Sequence, residues 1–163
     1  GAMIRQSSLI GSTVLDSERK HVLGRVRSFE VSVESGNLLG ISYATNGIIR
    51  RRIFIPRDCV LEIGSRFITV KRPEGRVRQP EGTLDLTKRQ QVVDQDGNDL
   101  GFAVDFFIDA DRCRVRGLEV SQGIFEDVWA GRSVVDRFSQ MEFSEKLIAS
   151  RSHENSEKEG EET

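Results

Sequence analysis

The sequence predicts an all-β protein built from two tandem small β-barrels and ending in a disordered acidic tail. Three observations carry that prediction. The chain repeats itself internally, each copy has a polar-apolar period of two, and a proline- and glycine-bearing break separates the copies.

The repeat is anchored by glycines. Leu23-Gly24-Arg25-Val26 leads through Phe29-Glu30-Val31 to Gly40-Ile41-Ser42-Tyr43, and Leu100-Gly101-Phe102-Ala103 leads through Phe106-Phe107-Ile108 to Gly117-Leu118-Glu119-Val120. Gly24 falls on Gly101 and Gly40 on Gly117 at one constant offset, which also sets Phe29 on Phe106 and Val31 on Ile108. Upstream, Val14-Leu15-Asp16 corresponds to Val92-Val93-Asp94 after a one-residue shift in the turn. Downstream, the run from Leu61 to Ile68 corresponds to Met141 to Ile148 after a small insertion. Gaps confined to turns are what duplication requires.

Within the first copy, Gly24 to Val33 alternates polar and apolar side chains, as a strand with one buried face does. Glu34-Ser35-Gly36-Asn37 supplies a turn, and Leu38 to Tyr43 returns as the second arm of a hairpin. The counterpart runs from Val104 to Asp109, turns at Ala110-Asp111, and returns from Arg114 to Ser121. Ile48 to Ile55 with Phe67 to Lys71 is expected to complete the first barrel. Val128 to Val135 with Met141 to Ala149 is expected to complete the second, the last segment alternatively forming a short helix. Closure removes the sheet edges that such small modules would otherwise expose. At this size each copy buries little surface, so packing of one on the other is expected.

The boundaries follow: a first barrel over 3–72, a linker over 73–83 containing Pro73, Gly75, Pro80 and Gly82, a second barrel over 84–150, and a tail over 151–163. Gly1-Ala2 ahead of Met3 reads as a remnant of tag removal and is left out of the fold. Residues 153–163 hold five of the 26 acids and one of the 24 bases, so the formal charge of −2 divides into a weakly basic body and an acidic tail. That tail has no apolar residue to offset the entropy of ordering it.

Hydrophobic residues are 37% of the chain and charged ones 31%, the balance of a water-soluble protein with thin cores. No apolar run nears the roughly 20 residues of a spanning helix, and no secretory leader is visible, so a cytoplasmic location is expected. A chloroplast stromal location would follow from a removed transit peptide, which leaves no trace. Cys59 and Cys113 lie far apart, outside any zinc or redox spacing, and read as small buried side chains.

Taken together, Ser8 to Asp16, Leu23-Gly24-Arg25-Val26, Gly36 to Gly40, Ile53-Phe54-Ile55-Pro56, Val60, Ile63-Gly64 and Phe67-Ile68 resemble the PRC-barrel domain. It is the barrel found in the cytoplasmic domain of the photosynthetic reaction centre H subunit and in the C-terminal domain of a ribosome-maturation factor. The second copy keeps Val93-Asp94, Leu100-Gly101 and Gly117-Leu118 but has Asp136 where a match to Pro56 is expected. The resemblance implies a binding or assembly role and supplies no catalytic residue or cofactor; fold alone does not fix function.

Asp94 to Asp105 has the length of a calcium loop. Position six is Asp99 in place of the glycine that makes the sharp turn, and position twelve is Asp105 in place of a bidentate glutamate, so the segment reads as a hairpin turn. Arg50, Arg51 and Arg52 follow Asn46-Gly47, and Arg112, Arg114 and Arg116 recur at a spacing of two that sets them on one strand face. Both sets are candidate anion sites, against the alternative of solvated faces that discourage edge pairing. Phe107, Phe125 and Trp129 are candidate interface aromatics: Phe106 and Phe107 are adjacent, so one faces away from the core, toward the other barrel or another protein.

His21 and His153 are the only histidines, in a turn and in the tail, and no phosphate loop precedes a helix. No enzyme is therefore expected. The leading expectation is an adaptor or assembly protein that binds a protein partner, at a photosynthetic or other membrane-associated complex and without cofactor or metal. The alternative is an RNA- or ribosome-associated maturation factor that uses the arginines. Peripheral membrane association and homo-oligomers are further options.

Overall fold

The chain is seen in a computed structural model that describes residues 3–126, 129–132 and 147–149. Strands dominate. They are β1 (Met3–Arg5), β2 (Thr13–Asp16), β3 (Val22–Val31), β4 (Leu38–Thr45), β5 (Arg52–Pro56), β6 (Val60–Ile63) and β7 (Phe67–Val70). The second half adds β8 (Gln91–Val93), β9 (Asp99–Asp109), β10 (Arg114–Val120), β11 (Gly123–Glu126), β12 (Trp129–Arg132) and β13 (Leu147–Ala149). One helical turn, α1 (Gln6–Leu9), joins β1 to β2 and buries Gln6 and Leu9.

The first sheet runs β5-β4-β3-β2-β7-β6 and the second β11-β10-β9-β8-β13-β12. Among the described residues each has a single parallel contact, β2 with β7 and β8 with β13. The matching goes down to register. Val26 faces Tyr43, Phe29 faces Ile41 and Glu30 faces Gly40; Ala103 faces Val120, Phe106 faces Leu118 and Phe107 faces Gly117. Register shifts fall at Arg27 and Leu39 in one sheet and at Val104 and Arg116 in the other. Such bulges bend a strand, which lets a ten- or eleven-residue strand serve both sides of a small core. No pairing among the described residues joins β5 to β6, so each hydrogen-bonded path has two ends in place of the expected closed barrel.

Gly24 shows why the repeat is anchored on glycine. A Cβ there would penetrate the carbonyl oxygen of Ala44 on the neighbouring strand. Gly101 occupies the same register position, with φ +96°, against the hydroxyl of Ser121.

Two sequence assignments need correction. The strand expected from Ile48 begins at Arg52, because Asn46 to Arg51 form the hairpin turn; Thr45 N–H donates to Arg51 O at 2.9 Å. The strands expected within 128–135 and 141–149 are present as β12 and β13, paired with each other, but β11 precedes them unexpectedly, and in it Glu126 faces Gly117 as Pro56 faces Gly40. Glu126, and not Asp136, is thus the residue matching Pro56. The acidic tail lies outside the described residues.

The halves are tied together reciprocally. β1, at the head of the first half, pairs with β9, Arg5 facing Phe107 and Met3 facing Asp109. The end of the inter-copy segment does the same for the first sheet: Thr83 bridges Ser32, Val33 N–H donates to Gly82 O at 2.9 Å, and Leu84 N–H donates to Val31 O at 2.8 Å. The core is accordingly one cluster that runs from Val14, Phe29, Ile41 and Ile68 through Leu9 and Leu84 to Val92, Phe106 and Leu118.

Candidate functional site

The arginine triplet is divided by the hairpin it closes. Arg52, the first residue of β5, points across the sheet: its Nη2 donates to Ser28 Oγ at 2.6 Å and lies 3.5 Å from Glu30 Oε2. Glu30 is buried, so this pair neutralises a carboxylate that the core would otherwise hold unpaired. Arg50 and Arg51 project from the turn. They line two different grooves.

On one side Arg50 joins Arg25 and Arg27 of β3, Thr45, Asn46 and Gly11 around a groove of about 400 Å³. Arg25 is fixed there by a 3.0 Å bond from Nη1 to Gly11 O. On the other side Arg51 and Arg52 join Arg72, Arg76, Tyr43 and Phe54 around a groove of about 570 Å³ between β5 and the inter-copy segment. Gln79 pins that segment by donating to Ser42 Oγ at 2.6 Å. Among the described residues no carboxylate lines either groove. Burial raises the Tyr43 phenol above its ordinary value, with Arg72 pulling the other way, so the hydroxyl is a neutral donor at the groove floor. Arg52 is answered by Glu30, but the guanidinium groups gathered along each groove outnumber the carboxylates near them and make a positive field suited to carboxylate or phosphate.

Arg112, Arg114 and Arg116 do not share a face. β10 begins at Arg114, Cys113 has φ +51°, and Arg116 is the bulge residue, so the alternation that would align them is broken twice. Arg112 Nη1 and Arg116 Nη1 instead approach Asp109 Oδ2 at 3.3 and 3.5 Å, leaving Arg114 exposed. Asp109 is fully buried and also accepts the backbone N–H groups of Asp111 and Arg112, both at 3.1 Å. The Arg112 amide bond outweighs burial and holds this carboxyl below its ordinary value.

Phe107 is 8% exposed, with the Arg5 guanidinium 5.0 Å from its ring centre and Arg5 ion-paired to Glu119. It faces away from Phe106, as adjacency demands, and is covered by β1 of the first half. Phe125 and Trp129 stand on β11 and β12; their side chains lie outside the described residues.

The Asp94 segment is a turn. Asp94 Oδ1 accepts Asp96 N–H at 2.9 Å and Asn98 N–H at 2.8 Å, while Asp105 accepts the amide of Ser7 at 3.3 Å and also its hydroxyl. Cys59 and Cys113 are both half-buried free thiols, and burial pushes Cys113 up against the opposing pull of Arg57. Among the described residues no group of three or more His, Cys, Asp or Glu is placed to hold a metal ion. No helix among them is long and apolar enough to cross a membrane.

Sequence reasoning missed Arg25, Arg27, Arg72 and Arg76, although the alternation in Gly24-Arg25-Val26-Arg27 already sets both β3 arginines outward. It also missed Arg57, which follows Pro56 in a 3-10 turn and clasps the second half by donating to Cys113 O at 2.6 Å and Arg112 O at 3.1 Å.

Residues 2–77, spanning β1 to β7, match the PRC-barrel domain family, so a PRC-barrel domain occupies the first half of the chain. No curated protein matches the chain.

Proposed function

We propose that this protein is a non-catalytic adaptor of two PRC-type barrels, 3–72 and a diverged second copy at 84–150, and that it binds an acidic stretch of a protein partner. The second copy is inferred from the common strand order, the common bulges and the matching Gly24 and Gly101. The reading rests above all on the groove along β5, where Arg51, Arg72 and Arg76 stand beside the Glu30-paired Arg52 and no carboxylate is in the lining. Among the described residues β5 pairs on one side only, so an extended partner segment has main-chain groups to bond as well as arginines to pair.

Cross-linking and affinity capture from native cells tests this. A specific partner should be recovered with the wild type and lost with Arg72→Glu/Arg76→Glu; recovery unchanged by that pair of substitutions would remove the groove from the interface.

The second reading is an RNA- or ribosome-associated factor, favoured by Arg25, Arg27 and Arg50 around the other groove. Phosphate binding would then weaken steeply with salt, and about one counterion-release unit of the log-log slope should vanish per arginine removed. Absence of retention by single-stranded RNA at low salt would reject it.

A further inference from the structure

One end of the first sheet gathers the β2–β3 turn, the β4–β5 hairpin and the chain leaving β7. Its apex is apolar and fully out in water: Ile48 is 103% exposed and Ile49 77%. Val22, 47% exposed, opens the strand whose Gly24 pairs with Thr45 and so stands beside that hairpin. Asn46-Gly47, with Gly47 at φ +117°, already supplies what a turn needs, so the two isoleucines are additional to it and contribute nothing to the core. The same end of the sheet carries Arg50 and Arg51, Lys20 in the β2–β3 turn, and Lys71, which follows the Val70 carbonyl bonded by Ser17 N–H at 2.9 Å. Glu18 shares that turn in an exposed position, while the Asp16 carboxylate is turned onto the amides of Glu18 and Arg19.

We propose that this end docks on an anionic membrane surface, with Ile48 and Ile49 entering the boundary between headgroups and acyl chains and the surrounding cations meeting lipid phosphates. The shape selects a bilayer over a protein. Two adjacent exposed β-branched side chains on a turn need a shaped pocket on a rigid partner, whereas a fluid interface receives both without preformed shape. The combination of apolar insertion and basic charge is also what stable peripheral binding requires, since either signal alone is weak. The proposal goes beyond the partner groove: Ile48 and Ile49 line neither groove, and only the arginines at their side, Arg50 and Arg51, border both surfaces.

The test is co-sedimentation of the full chain with vesicles of phosphatidylcholine alone and of phosphatidylcholine mixed with phosphatidylglycerol. Binding is expected to the mixed vesicles only. Ile48→Ser/Ile49→Ser should lower the partition coefficient about tenfold or more, with the thermal transition unmoved because neither side chain touches the core. In parallel, Ile48→Trp should add a fluorescence component that shifts to the blue with the anionic vesicles. Failure to sediment with mixed vesicles would overturn the proposal, and so would sedimentation unaffected by the serine pair or an added indole component that does not shift. If the serine pair instead abolishes capture of a protein or of RNA, the apex is a macromolecular contact and the membrane assignment falls. Because the serine substitutions leave Arg72 and Arg76 in place, vesicle binding lost with partner capture retained separates this proposal from the adaptor reading.

Discussion

The two halves share a register and differ in what they turn outward. Val26, Phe29 and Ile41 have Ala103, Phe106 and Leu118 as mates in the core. The outward positions of the same strands are another matter: Arg25 and Arg27 in β3 stand where β9 has Phe102 and Val104. Phe102 lies under the Arg89 guanidinium at 4.2 Å, and Val104 is 45% exposed. Ser32 caps its turn by accepting the amides of Glu34 and Ser35, both at 3.2 Å, and Asp109 caps the equivalent turn with a charge that two arginines must then answer. Positions that set the fold are therefore comparable in the two halves, while positions that face solvent differ. At these outward positions β3 carries guanidinium groups and β9 apolar side chains.

Substitution at the paired glycines would break this comparison most severely. Gly24→Ala drives a methyl into a main-chain oxygen and is expected to cost about 4 kcal/mol or more, a large share of the stability of an ordinary domain. Gly101→Ala meets a side chain and a left-handed backbone, at about 2 kcal/mol, and Ser121→Ala should recover part of that loss. Chemical denaturation of the singles and the double decides the matter; rescue of Gly24→Ala by any neighbouring side-chain truncation would contradict the main-chain origin of the clash.

Removing Met3 to Arg5 strips β1 from β9 and opens Phe107 to water. A loss of about 2 kcal/mol is expected from that ring alone, read as a lower denaturation midpoint. Hydrogen exchange should localise the new lability to Phe107 to Asp109 and leave β3 protected.

Ser32→Ala should cost about 1 kcal/mol, as loss of a local cap does. Its mate adds a pH dependence. Asp109 titrates below its ordinary value in the folded chain, so its contribution is fully present above the unfolded carboxyl value near 4 and is lost as pH falls through the lower folded one. Asp16 has the same sign: burial opposes its charge, but the Glu18 and Arg19 amides hold it down. Acid unfolding of Asp109→Asn should start from a lower plateau and fall less steeply than the wild type; an unchanged slope would mean that Asp109 is not a source of acid sensitivity. The smallest effect belongs to Arg27→Ala, within about 0.5 kcal/mol for an exposed bulge residue, yet it should weaken any RNA binding measurably.

Much of this architecture is legible because bulges and cores repeat with the glycines. Periodicity cannot count turn residues, however. The first sheet joins β4 to β5 through Asn46 to Arg51, and the second joins β10 to β11 through Ser121 and Gln122 alone, which is why β11 goes unexpected while β12 falls within the expected segment. The Arg112, Arg114 and Arg116 pattern fails for a related reason, since alternation holds only where neither a bulge nor a left-handed residue intervenes. β1 is illegible: three residues have no period, and their partner is set by tertiary packing. The grooves are half legible, Arg25 and Arg27 through alternation, Arg72 and Arg76 only once the segment after β7 is seen folded over β5.

Met3 faces Asp109, and that pairing has a consequence in time. β1 leaves the ribosome well ahead of β9 and must wait for it, on the order of ten seconds at ordinary synthesis rates. During that interval the same edge on a neighbouring nascent chain is an equally good partner, and capture there would give intertwined dimers. Sparse loading of the message therefore favours chains that close on themselves.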